Sequence, residues 1–175
     1  MPNSIITHDE RGKSIILIPD IIFVNKQNIN WHDVENYLKQ YIGIVVEITE
    51  SKDIIYVGKH FPNEFSSSKY TRTLRGARAK AKANAVQAIP EMLKIATDKT
   101  YCQNRKTKHS SDAQNGWYYY ITHFALPIYE NDVKTNLYNV YSGRLVINHT
   151  STGKMYLYDL ADIKKEASNP FKPTM

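Results

Sequence analysis

The feature that most limits how this chain can fold is a change of hydrophobic period partway along it. From Lys69 to about Thr97 apolar residues recur at helical spacing. Leu74, Ala77, Ala81, Ala85, Ala88, Met92 and Ala96 fall within one narrow stripe. From Trp117 onward the pattern is that of strands. Trp117–Ala125 is rich in aromatic and β-branched residues and stops at Pro127, and Tyr138–His149 is a second such run. The turn Thr150–Gly153 leads directly into Lys154–Ile163, so the last two runs pair as a hairpin. One long helix followed by antiparallel strands defines an α+β chain.

The helix has its own punctuation. Ser66–Ser68 supply hydroxyls to cap its start, and the alanines let it approach a neighbour closely. Pro90 has no amide hydrogen to donate, so the helix kinks or restarts near Ile89. Two polar flanks border the stripe: Arg75, Arg78 and Lys82 on one side, Lys80, Asn84, Gln87 and Glu91 on the other.

Ahead of the helix the signals are shorter. Residues 1–13 are polar and read as a flexible N-terminus. Ser14–Val24 reads as an edge strand or two short extended pieces around Pro19. Asn30 is an N-cap with Asp33 in the first turn; Trp31, Val34, Leu38 and Ile42 give a helix over 31–42, which Gly43 ends. Ile44–Ile48 and Ile54–Val57 form a hairpin around Ser51–Asp53. At the other end, Lys164–Glu166 adds a helical turn before the Pro170–Pro173 tail. The expected organisation is therefore a single α+β domain over 14–166 and a tail at 167–175. Within that domain, 14–65 form an N-terminal mixed unit, and 66–166 form a long kinked basic helix packed on an antiparallel sheet.

Charge is unevenly spread. Residues 69–109 hold 11 basic and 2 acidic residues, whereas the rest of the chain holds 12 basic and 15 acidic. All of the +6 net charge therefore comes from one quarter of the sequence, and a field of that kind attracts polyanions, nucleic acid first among those inside cells. No apolar run approaches the roughly 20 residues that span a bilayer, and no basic leader precedes an apolar stretch, so the expectation is a cytoplasmic protein without a membrane partner. The lone Cys102 forms no internal disulfide and no cysteine metal cluster.

Phosphate loops, nucleophile elbows and dinucleotide fingerprints are absent from the sequence. The six histidines are scattered, with no pair at the i, i+4 spacing of a helical zinc site, so neither a metal nor a cofactor is expected. What remains is chemistry that side chains perform alone. RNA cleavage by attack of the 2′-hydroxyl is of this kind: it needs a base, an acid and cations for charge developing on phosphorus. His109, in Arg105-Lys106-Thr107-Lys108-His109, is the first candidate, because cationic neighbours favour its neutral base form. His149 at a strand end is the candidate acid, Arg144 the candidate phosphate clamp, and Asp159 a candidate to orient a cation. Arg72, Arg75, Arg78, Lys80 and Lys82, with Arg105, Lys106 and Lys108, are the candidate RNA-backbone contacts. Lys69 and Tyr70 open the same helix, whose amides suit an anion. Tyr118–Tyr120, Tyr156 and Tyr158 are candidates to stack on unpaired bases.

Three strings carry a resemblance: SSSKYTRTLRGARAKAKANAVQAIPEMLKIATDK, KHSSDAQNGWYYYITHFALPIY and GKMYLYDLADIKKEASNP. Over roughly residues 15–170 the chain resembles phage and mobile-element proteins of the barnase–EndoU–colicin–RelE-like nuclease group. The resemblance implies an RNase-like fold of helices followed by a four-stranded antiparallel sheet, and metal-independent endoribonuclease activity. It places Lys69, Tyr70, Lys82, His109 and Asp159 at matching positions. Mobile-element carriage suggests an anti-CRISPR role on the guide RNA of a type II effector nuclease, in the bacterial host cytoplasm. Two rival expectations stand beside it. One is a non-catalytic inhibitor filling the nucleic-acid channel of a host defence protein, and the other is a toxin RNase against cellular RNA.

Overall fold

The computed structural model describes residues 4–24, 28–102, 116–167 and 169–173. It is α+β, built on one eight-stranded sheet in the order β1-β2-β6-β7-β8-β4-β3, with β5 also on β6. The strands are β1 (Ile5–His8), β2 (Ser14–Leu17), β3 (Val45–Glu47), β4 (Ile54–Tyr56), β5 (Thr97–Cys102), β6 (Trp117–Glu130), β7 (Val133–His149) and β8 (Met155–Lys165). The helices are α1 (Trp31–Leu38), α2 (Phe61–Ser67), α3 (Lys69–Thr73), α4 (Gly76–Ala85) and α5 (Ile89–Lys94).

Residues 14–65 do not make a separate unit. Their strands join the C-terminal sheet through two parallel junctions, β2 on β6 and β4 on β8, so the sheet is mixed rather than antiparallel. Ile5–His8, expected to be loose, pair with β2, and Phe171 in the tail exchanges backbone hydrogen bonds with Tyr138.

The long hairpins run further than the sequence suggests. β6 continues through Pro127 to Glu130, because a bulge between Pro127 and Tyr129 relieves the proline of a ladder donor. It then turns at Asn131 and Asp132, whose φ angles of 51° and 61° suit a tight hairpin loop. Residues 164–166 add no helical turn; β8 extends to Lys165, and the Glu166 amide donates to the Val140 carbonyl.

The helical segment is not one kinked rod. Ser68 caps α3, its Oγ accepting from the Thr71 amide. The helix then breaks at Leu74 and Arg75, both extended, and restarts at Gly76, whose φ of +63° an L side chain rarely adopts. Pro90 restarts the chain as expected, in the first turn of α5. The Asn30 cap of α1 and the β3–β4 hairpin are also as expected.

The core explains these departures. Tyr120, Phe124, Leu145, Ile147, Leu157, Leu160 and Ile163 on one sheet face pack against Phe61, Phe65, Ala81, Ala85, Ile89 and Met92. Residues 81–89 are buried on every side, so no amphipathic stripe with two solvent-facing flanks exists there. Ala77, assigned to the stripe, is exposed. Asn84 near the end of α4 and Gln87 just beyond it face the backbone of the 20–23 segment. Asn84 Oδ1 accepts from the Ile22 and Phe23 amides at 2.8 and 3.1 Å, and Gln87 donates to the Asp20 carbonyl at 2.8 Å. Those bonds replace a strand ladder, which is why β2 ends at Leu17 and not at Val24.

Lys82, expected on a flank, is fully buried, and its Nζ lies 2.5 Å from Asp159 Oδ1 on β8 and 2.6 Å from Thr71 Oγ1. Removing one member leaves the other charge buried and unpaired. Lys82→Met is therefore expected to cost about 3–5 kcal/mol in urea unfolding. Pairing it with Asp159→Leu is expected to restore much of that loss. Equal stability of Lys82→Met and wild type would show that the pair carries no weight.

Candidate functional site

Tyr70, Lys82 and Asp159 gather around the bulged half of β8, and Arg144 stands across from it on β7. The bulges fall opposite Ser142–Arg144 and Val146–Ile147. Asp159 faces inward, and its Oδ1 accepts from Lys82 and from the Leu160 amide. Burial pushes Asp159 up from the ordinary carboxylate range, against the pull of Lys82. Burial likewise pushes Lys82 down, against the pull of Asp159. The Lys82 Nζ also lies 4.5 Å from the Phe65 ring centre and 5.1 Å from that of Tyr70. The Tyr70 hydroxyl accepts from the Ile163 amide. Arg144 pairs with Asp162, whose φ of 52° marks the bulge, and its guanidinium lies 4.6 Å from the Tyr119 ring centre.

These placements assign several sequence candidates to the frame. Lys82 is inaccessible to an RNA backbone, Asp159 is held by a buried lysine, and the Tyr70 hydroxyl is used by the backbone of β8. The anion site expected at the start of this helix is occupied by the Ser68 cap, on a helix of five residues.

Exposed cations lie on the α3–α4 corner. Lys69, Arg72, Arg75 and Arg78 are all exposed, and no carboxylate among the described residues lies within ion-pair distance of any of them. Arg75 anchors the corner by donating to the Arg72 and Leu74 carbonyls at 2.8 and 2.7 Å. Lys80 is half-buried beside Ile21 and Leu126.

His149 lies elsewhere, at the far end of β7. Its ring is 5.6 Å from that of Tyr118, which also has the Lys99 Nζ at 4.5 Å and the Tyr101 ring at 5.2 Å. Lys99 in turn pairs with Asp53 at 2.8 Å, and the Tyr120 hydroxyl donates to the same carboxylate. His149 and Asp159 are thus not brought together. Arg105, Lys106, Lys108 and His109 lie outside the described residues, so the proposed base is not placed. Among the described residues no three His, Cys, Asp or Glu side chains converge to hold a metal ion, and no helix is long and apolar enough to cross a membrane.

Sequence reasoning passed over one cluster. His123 Nε2 lies 2.9 Å from Glu166 Oε1, which also meets Lys13 Nζ at 3.2 Å, with Asp9 beyond at 4.0 Å. This cluster ties the first strands and the C-terminal segment to the sheet. The signal was strand parity: if Tyr120 and Phe124 face the core, His123 faces away from it. Spacing along one segment carries no trace of the cluster, because its partners come from both ends of the chain.

No protein-family model matches the chain, and no curated protein or solved structure matches it either.

Burial and then Lys13 push His123 below its ordinary value, against the pull of Glu166 and Asp9. Stability gained from a neutral His123 is complete above about pH 6.5 and is lost as pH falls through the lower folded-state value. Urea unfolding at pH 7.5 and pH 5 is expected to show a larger loss for wild type than for His123→Gln, which keeps a donor and does not titrate. Identical pH dependence in the two proteins would contradict this.

Proposed function

We propose that this chain binds single-stranded RNA through the α3–α4 corner, with Lys69, Arg72, Arg75 and Arg78 meeting successive phosphates. The observation that carries the reading is the clustering of Lys69, Arg72, Arg75 and Arg78 within ten residues of one corner, all four exposed and none in an ion pair among the described residues. Unpaired cations clustered on one corner cost the fold self-repulsion and are suited to a polyanion. The half-buried tyrosines around Tyr118 and Tyr156 add surfaces on which unstacked bases can lie. In this reading the protein works in a bacterial cytoplasm on RNA such as the guide RNA of a type II CRISPR effector, whose nucleic-acid channel is a natural place for such a corner to dock.

Cleavage of the bound strand is the second reading. One observation favours it: His149 lies beside a tyrosine that already holds a lysine ammonium, a histidine and a cation near one half-buried spot. Binding and cleavage separate in one experiment, in which labelled guide RNA is incubated with the protein in EDTA, with and without effector.

Affinity is expected to fall steeply with salt. In Lys69→Glu/Arg72→Glu/Arg78→Glu, with Arg75 kept for its backbone bonds, affinity is expected to drop at least tenfold. The salt slope should also fall by about 2, at roughly 0.7 per lost phosphate contact. Normal RNA binding by the folded triple variant would defeat the binding reading. Products with 2′,3′-cyclic phosphate ends that vanish in His149→Ala would support cleavage, and intact RNA under all conditions would remove it.

A further inference from the structure

A cavity of about 280 Å³ lies between the first turns of α4, at Ala77 and Lys80, and the part of the sheet where Leu126 on β6 faces Asn139 on β7. Ala77 sits between Gly76 and Arg78, so the cavity adjoins the α3–α4 corner. Ile21, Leu126 and Pro127 form an apolar wall. The volume falls just short of the roughly 300–1,000 Å³ of clefts that enclose drug-sized molecules, so it suits a small polar group with a few carbons attached.

Tyr141 closes the sheet side. It is only 6% exposed, and its ring stacks on Phe124 at 5.6 Å and 19°. Its hydroxyl makes no hydrogen bond among the described residues, yet it is not sealed from solvent as the unpaired Tyr37 hydroxyl is. The cavity is what that hydroxyl opens to. Side chains buried to this degree normally have their polar atoms paired, and packing alone would be served as well by phenylalanine. Burial pushes the Tyr141 phenol up from its ordinary value, so the hydroxyl stays a donor. Asn139 adds an amide, Lys165 an exposed ammonium and Lys80 a half-buried one. Lys165 is in no ion pair among the described residues, and none of the described residues lining the cavity is acidic.

We propose that this cavity binds a phosphate monoester. Tyr141 and Asn139 donate to its terminal oxygens, Lys165 and Lys80 balance its charge, and the apolar wall meets the first carbons of its body. Every polar side chain in the lining can donate, and a monoester brings three strong acceptor oxygens and a charge of roughly −1.5 to −2 at neutral pH. A carboxylate brings fewer oxygens and a single charge. An internal phosphodiester also carries a single charge, and its chain continues on both sides, which a cavity of this size does not admit. The phosphate class rests on the cavity itself. One source of such a group is the 5′ end of a strand lying on the α3–α4 corner, and that source rests on the RNA-binding reading; the other is a free sugar phosphate.

The test is calorimetric titration of the full chain with ribose 5-phosphate, ribose and gluconate, with amide chemical-shift mapping of the ribose 5-phosphate complex. Saturable binding of ribose 5-phosphate is expected, at least tenfold tighter than gluconate and with no binding of ribose. The shifts should centre on residues 77–80, 126–127, 139–141 and 165. Tyr141→Phe removes only an unpaired hydroxyl, so it is expected to unfold at the wild-type temperature and to bind at least fivefold more weakly; Lys165→Gln is expected to weaken binding similarly. No saturable binding, equal binding of gluconate, shifts elsewhere, or wild-type affinity in folded Tyr141→Phe would overturn the proposal. The source is read from one short RNA made with a 5′-phosphate and with a 5′-hydroxyl. Tighter binding of the phosphorylated strand, lost in Tyr141→Phe, places the strand end in the cavity. Equal binding of the two strands beside saturable ribose 5-phosphate binding supports a free sugar-phosphate site. Ribose 5-phosphate binding with no strand binding supports the same site and removes the RNA reading instead. Strand binding at the α3–α4 corner without ribose 5-phosphate binding removes this proposal alone.

Discussion

A lysine ammonium and a carboxylate lie 2.5 Å apart in the centre of this core, and much of the architecture follows from keeping them there. Two charges out of water are tolerable only when each has close partners. Lys82 has Asp159, Thr71 Oγ1 and two aromatic faces; Asp159 has Lys82 and the Leu160 amide. Thr71 donates onward to the Phe65 carbonyl, so α2, α3, α4 and β8 share one hydrogen-bonded chain. The bulge in β8 lets Asp159 and Leu160 both turn inward, one to the ammonium and the other to the apolar core.

That arrangement has a consequence for the surface. Lys82 is drawn inward and α3 is set against β8 through Tyr70 and Ile163. At the break, Leu74 is buried while Arg75 is exposed, with Lys69, Arg72 and Arg78 exposed on the two short helices around it. Lys82, of the same helical segment, is spent on the core. The proposed RNA contact therefore centres on the corner and not on the face that carries Lys82.

Local chemistry was legible in the sequence where one residue's own preference decides the outcome. The Asn30 cap, the restart at Pro90, the β7–β8 hairpin and the α+β class all came from such signals. Decisions made by distant partners were not legible. An alanine-rich helix with lysine and asparagine reads as half-solvated, yet Asp159 lies 77 residues from Lys82 and the Phe23 backbone 61 residues from Asn84. The same limit hid the parallel junctions and the His123–Glu166–Lys13 cluster, each of which needs both ends of the chain. For the candidate site, exposure of Arg72, Arg75 and Arg78 agrees with the charge pattern, while the roles given to Lys82 and Tyr70 gave way to packing. Asp159, read as orienting a cation for phosphate chemistry, instead holds the buried Lys82.

The most direct measurement of the central claim is photo-crosslinking of RNA carrying 4-thiouridine to the full protein, with adducts located by peptide mass spectrometry. RNA docked on the corner created by the buried pair gives adducts within residues 69–80, and these disappear when Lys69, Arg72 and Arg78 are reversed in charge. Adducts confined to His8–Lys13 and Phe171–Lys172, unchanged by those reversals, would contradict the account.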